Sequence, residues 1–262
     1  MQAGKLRVID AHFHLWDPAA LQLDWLSDMP ALQRSFTIED LEAEYERLGV
    51  NFVGGVYVEV DAADPVPEDR LIYENTSQKI LKRVLRSEVS GYMRIPVHAD
   101  GIRTPLHTPN SPRGRALTPQ FQEGLRILAS KDLSFDLVNR GEEIGDMAQA
   151  FSSVQDLRLI INHLGNVRTL DADSRAALTA LAQLPKAYVK VSGDDPVNPD
   201  VVKFVRDTFG PHRVMFASNW PVVTVSSSLR EHIELMVKIF GDDEDFFMNN
   251  AKEAYHIDDE AQ

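Results

Sequence analysis

Two histidines two residues apart, His12 and His14, follow the apolar run Leu6 to Asp10 at the start of the chain. On an extended strand alternate side chains share a face, so both imidazoles can meet at one point. A shared metal ion or a shared substrate carbonyl would need that convergence. Far downstream, His163 leaves a second apolar run, Leu157 to Asn162, just before Leu164 and Gly165. An imidazole at the end of a strand beside a glycine is well placed to face a ligand, although a histidine bonded to backbone in the core reads the same way. Glu59 ends a third run, Phe52 to Val60, and could act as a base or merely close an ion pair. Arg94, Arg103, Arg113 and Arg115 are candidates for gripping an anionic group through paired N–H donors, against the plainer reading of surface charge.

These residues need elements to hold them. Thr37 to Asp40 reads as a helix start, with Thr37 as N-cap, and the helix runs to Gly49. We expect strands at 6–10, 52–60, 91–96, 101–107, 133–138, 157–162, 187–191 and 214–217. Helices are expected at 68–87, 118–131, 141–151, 172–184, 198–209, 228–240 and 245–255. Proline at the first helical position supports the starts at Pro119 and Pro199. Strands alternating with helices imply a parallel sheet covered by helices. Eight such units predict an α/β fold, a (β/α)8 barrel, with an abbreviated unit between the third and fifth strands. The residues 1–262 read as one domain. The strand C-terminal ends then bring His12, His14, Glu59, Arg94, Arg103, His107, Asp136, His163, Ser192 and Asn219 to one mouth.

Composition narrows the partners. With 44% hydrophobic residues the chain can build a sizeable core. Forty acidic against 27 basic residues, net −13, argue against a nucleic-acid or anionic-membrane partner. There is no cysteine, so thiolate chemistry is excluded and any metal must take nitrogen and oxygen donors. A cytoplasmic protein with a small-molecule substrate is the expectation, with self-association left open.

The motifs also occur in a telling order: His12-Phe13-His14 with Trp16-Asp17-Pro18, Asp24-Trp25-Leu26, Phe135-Asp136-Leu137, Asn162-His163-Leu164-Gly165, Lys190-Val191-Ser192-Gly193, and finally Ser218-Asn219-Trp220-Pro221. The chain thereby resembles the amidohydrolase-related branch of the amidohydrolase superfamily, which includes L-fucono- and L-rhamnono-lactonases, 4-sulfomuconolactone hydrolase and 2-pyrone-4,6-dicarboxylate hydrolase. The resemblance implies a barrel that opens a lactone or similar cyclic ester of a sugar acid or dicarboxylate, with an anionic lactone as the expected substrate. Together with the strand-end reading it makes His163, Asn219 and Glu59 the catalytic candidates, Arg94, Arg103, Arg113 and Trp220 the substrate-binding ones, and His12 and His14 the ligands of a zinc or manganese ion in a metal-bearing arrangement. Two departures matter: the compressed region between the third and fifth strands, where substrate specificity is often built, and position 219. The family motif reads Ser-Asp-Trp-Pro, and its aspartate is the implied base, whereas this chain carries Asn219, whose amide cannot take a proton from water near neutral pH. A catalytically impaired or substrate-trapping member is therefore one alternative, and a metal-dependent decarboxylase on the same barrel is another.

Overall fold

A computed structural model describes residues 5–193 and 196–258. Eight strands, all paired in parallel and in chain order, form one sheet: β1 (Arg7–Phe13), β2 (Asn51–Val58), β3 (Ile80–Arg86), β4 (Gly101–Arg103), β5 (Ser134–Leu137), β6 (Leu159–Ile161), β7 (Ala187–Val191) and β8 (Val214–Phe216). The turn after β8 closes the ring. Asn219 N–H donates to the His12 carbonyl at 2.8 Å, and His14 N–H donates to the Trp220 carbonyl at 2.8 Å. The expected (β/α)8 barrel is the observed fold.

Helices α1 (Ile38–Arg47), α2 (Pro65–Glu74), α3 (Pro119–Ser130), α4 (Ile144–Ser152), α5 (Ala172–Ala182), α6 (Pro199–Phe209) and α7 (Leu229–Phe240) cover the sheet. Thr37 caps α1 as expected, accepting from the Asp40 amide while Asp40 accepts from the Thr37 amide. Such a cap contributes about 1 kcal/mol. An eighth helix, α8 (Asn250–Tyr255), follows a π-helical turn at Asp245–Asn249. Together these bring Met248, Ala251, Ala254 and Tyr255 against the inward side chains Ile9, Val56, Val84, Ile160 and Met215. That plug fills one end of the barrel and leaves the strand C-terminal end for chemistry.

One part of the expected order is wrong. The helix expected at 68–87 stops at Glu74, and Ile80–Arg86 is β3. Its apolar pairs, Ile80-Leu81 and Val84-Leu85, fit helical spacing and strand spacing alike. The polar break Asn75-Thr76-Ser77 ends the helix, and Val84 pairs between Val58 and Gly101. The strand expected at 91–96 is a turn whose Tyr92 is 97% exposed. The abbreviated unit accordingly lies between β3 and β4, which no helix links, while α3 links β4 to β5.

A β-bulge in β1 sets up the site. Three steps from Asp10 to Phe13 oppose two on β2, from Gly55 to Tyr57. The extra residue shifts the alternation: Ile9 and Ala11 belong to the inner cluster, Phe13 to the outer one, and His12 and His14 point inward above them. A side chain at Gly55 would meet the Asp10 carbonyl at 2.2 Å, so the close approach of β1 and β2 requires glycine.

Candidate active site

A cavity of about 290 Å³ opens at the C-terminal end of the strands. His14, His163, Asn219 and Arg103 line it on the polar side, with Trp25, Val60 and Val138 among its apolar walls. His12 lies immediately beneath, fully buried, its ring 4.7 Å from those of both His14 and His163.

Backbone geometry aims these groups. His163, Leu164, Gly165 and Asn166 are consecutive residues at positive φ, 55°, 55°, 69° and 56°. This left-handed turn costs about 1–2 kcal/mol at each residue bearing a Cβ. Cross-links from the end of β5 hold it: Asn139 Nδ2 donates to the Gly165 carbonyl at 3.1 Å, and Asn166 Nδ2 donates to the Asn139 carbonyl at 2.7 Å. Asn219 also sits at positive φ, 56°. Strain of this kind collects where a site must be held against the local preference of the chain.

His14 Nδ1 donates to the Val58 carbonyl at 2.7 Å, and its Nε2 lies 3.1 Å from His12 Nε2. His12 Nδ1 lies 3.3 Å from Asn162 Oδ1 and 3.4 Å from Lys190 Nζ. His163 Nδ1 shares a 2.9 Å hydrogen bond with Ser192 Oγ. Burial, reinforced by the Arg103 and Lys190 cations, keeps all three imidazoles neutral: His14 falls to about 3, and His12 and His163 lie well below their ordinary value. Asn219 hydrogen-bonds to His14, which opposes that fall.

Among the described residues, every charge that lines the cavity is matched. Arg103 donates through Nε and Nη2 to the Glu59 carboxylate and carbonyl. Asp61, at the cavity wall, pairs with Arg86 at 2.6 Å. Below the histidines, Lys190 Nζ donates to Asp136 Oδ2 at 2.6 Å with both side chains fully buried, and Tyr255 donates to the same oxygen at 2.7 Å. Burial lowers Lys190 to about 8, with Asp136 opposing the fall.

The structure thus brings together His12, His14, His163, Asn219 and Arg103. The structure places four other expected residues differently. Arg94 is half exposed and pairs with Asp69 outside the cavity, because the strand expected to end there is a turn. Arg113, 64% exposed, pairs with Glu142 at the surface. Trp220 is buried in the barrel closure, edge to face with Phe36, rather than lining the cavity. Glu59 is sealed behind Arg103 and accepts the Asp61 amide, so it is no free base. Lys190 is a further residue of the site, beyond those at the strand ends. Its signal is a single cation inside the apolar strand Tyr188-Val189-Lys190-Val191, on the same face as Ser192 two residues on.

The donor set decides whether a divalent ion fits. The two Nε2 atoms are close enough to share one, but among the described residues no group of three or more His, Cys, Asp or Glu could hold it. Asn219 offers only a neutral amide, the Glu59 carboxylate is committed to Arg103, and the Lys190 ammonium adjoins His12. Among the described residues, imidazoles flanked by cations, without a free carboxylate, do not fit a resident dication.

Comparison with known proteins agrees with the fold and the motifs. An amidohydrolase family model matches residues 9–257. The chain is 60% identical to amidohydrolase 2 from Bifidobacterium longum subsp. infantis, covering 97% of this chain and 100% of that one with a TM-score of 0.94. It is 26% identical to an L-fucono-1,5-lactonase from Burkholderia multivorans, over 89% of this chain and 88% of that protein. An amidohydrolase from the same organism, solved with zinc bound, shares the fold at 20% identity and a TM-score of 0.81, covering 96% of this chain and 99% of that one.

Proposed function

The chain belongs to the amidohydrolase family, and from that premise we propose that it opens a neutral sugar-acid lactone by attack of water on the ring carbonyl. The observation that carries this reading is a cavity lined by neutral imidazoles and an amide, in which, among the described residues, every charged wall residue already has its partner. A dicarboxylate or sulfonate would need uncommitted cations; of the arginines expected to supply them, Arg94 and Arg113 lie outside the cavity, and Arg103, which lines it, is paired with Glu59. Paired charges and a small amide suit hydroxyl groups, while Trp25, Val60 and Val138 suit the apolar face of a sugar ring.

In this reading His163 donates Nδ1–H to Ser192 and presents a bare Nε2 to the water. As the water oxygen bonds to the carbonyl carbon, Nε2 takes its proton. Arg103 and Asn219 offer N–H groups to the developing oxyanion. The ring C–O bond then breaks and the imidazolium returns the proton to the departing alkoxide. The same burial that makes His163 a weak base makes its protonated form a strong acid, which favours that return.

A substrate panel tests the proposal: L-fucono-1,5-lactone, L-rhamnono-1,4-lactone and 2-pyrone-4,6-dicarboxylate. The neutral lactones should react with kcat/KM of about 10⁴ M⁻¹s⁻¹ or more, and the dianion at least tenfold more slowly. Preference for the dianion would overturn the charge argument. A second reading rests on Asn219 itself: a member that binds the lactone and turns it over poorly would show saturable binding with little acid release. Release of carbon dioxide from a carboxylated substrate would instead mark a decarboxylase.

A further inference from the structure

The protons of the histidine pair can be assigned from their partners. A carbonyl only accepts, so His14 bears its proton on Nδ1, facing Val58, and its Nε2 is bare. A second bare nitrogen 3.1 Å away would be repelled, so His12 Nε2 carries a proton and donates it to His14. His12 Nδ1 is then an acceptor, and Lys190 Nζ, 3.4 Å away, is its donor. Asn162 fits the same assignment with its amide turned over. Its buried Nδ2 has no partner, while its Oδ1 faces His12 Nδ1 at 3.3 Å. Turning the amide over aims Nδ2 at the bare nitrogen and leaves an oxygen unpaired, which folded proteins tolerate better than an unpaired N–H. The ammonium is itself anchored beneath by Asp136, which also accepts from Tyr255 and Ser134.

We infer that Lys190 is a positioning residue that holds His12 as its Nε2–H tautomer and thereby closes the histidine pair to divalent ions. A shared ion would require both Nε2 atoms bare and the His12 proton on Nδ1, facing the lysine ammonium. Lys190 forbids that arrangement by charge and by proton count. The barrel keeps two inward histidines as a hydrogen-bonded unit, with a fixed cation beside it.

Nitrogen-resolved NMR of the histidine side chains in the wild-type protein reads the tautomer directly, and zinc titration by calorimetry reads its consequence. The wild type should show His12 protonated on Nε2 and no stoichiometric zinc binding. Lys190→Met should move the His12 proton to Nδ1 and tighten zinc binding about 10–100-fold, the range set by groups that orient metal ligands. His12 protonated on Nδ1 in the wild type, or equal zinc affinity in both proteins, would overturn the inference. Should Lys190→Met fail to fold, Lys190→Met with Asp136→Asn removes the orphaned carboxylate and carries the same comparison. The wild-type spectrum decides the tautomer in any event, and neither readout depends on the substrate.

Discussion

Replacing His163 by asparagine separates the chemistry from the scaffold. The residue sits at φ 55°, where most side chains are strained and asparagine is among the best tolerated. His163→Asn should therefore keep the left-handed turn, which the links between Asn139 and residues 165–166 hold independently. The cost to stability is the single bond to Ser192, about 1 kcal/mol, plus some lost packing in a nearly buried position. The cost to the reaction is the only basic nitrogen that the proposal places on the attacking water. A positioned base contributes about 10²–10⁴ in rate, equivalent to about 3–5 kcal/mol of barrier. Initial rates of acid release from a neutral sugar-acid lactone, corrected for spontaneous opening, measure the loss, and thermal melting confirms the fold. A folded variant retaining more than about a tenth of wild-type kcat/KM would refute His163 as the base, since a tenfold change is only about 1.4 kcal/mol.

Arg103→Met strands the Glu59 carboxylate and should cost about 3–5 kcal/mol in denaturant titration; adding Glu59→Gln should recover much of the stability but not the activity. Asn219→Asp replaces an oxyanion donor with a carboxylate beside His14 and should lower kcat/KM by about 10²–10³; a gain would show that position 219 serves as the base. Arg94→Ala and Arg113→Ala should leave turnover unchanged and stability within about 0.5 kcal/mol, checked by the same assays. Buried Glu68, desolvated and facing Glu59, is raised to about 8. Its proton is held in the fold but lost from the unfolded chain above about 4.5, so its contribution is complete below that pH and disappears as pH rises towards 8. Glu68→Gln, which mimics the protonated acid, should flatten the decline in melting temperature between pH 5 and 8, and a decline of equal slope in both proteins would contradict this.

Much of this architecture was legible because it lies in local pattern. The two-residue spacing of His12 and His14, the apolar runs before His163 and Asn219, and the Thr37 cap all rest on periodicity or on one hydrogen bond. Other features depend on contacts that spacing does not encode. Ile80–Arg86 satisfies helical and strand periods equally, and only pairing with β2 and β4 selects the strand. Mistaking the third strand placed Arg94 at a strand end that does not exist, whereas it pairs with Asp69 outside the cavity. Glu59 stands at a strand end as foreseen, but whether a carboxylate there acts as a base or neutralises an arginine is decided by Arg103, 44 residues away. The β1 bulge is likewise invisible locally, since the extra residue is defined only by its register against β2.

The central claim is hydrolysis of a neutral lactone by imidazoles and an amide, without a resident ion. The most direct measurement is a pH-stat assay of acid release from a neutral sugar-acid 1,5-lactone by chelator-treated wild-type protein whose metal content has been determined on the same sample. The account predicts saturable turnover with less than about a tenth of an equivalent of metal present, unchanged on adding zinc or manganese. Acid release no faster than the spontaneous reaction, or turnover appearing only when an ion is restored, would contradict it.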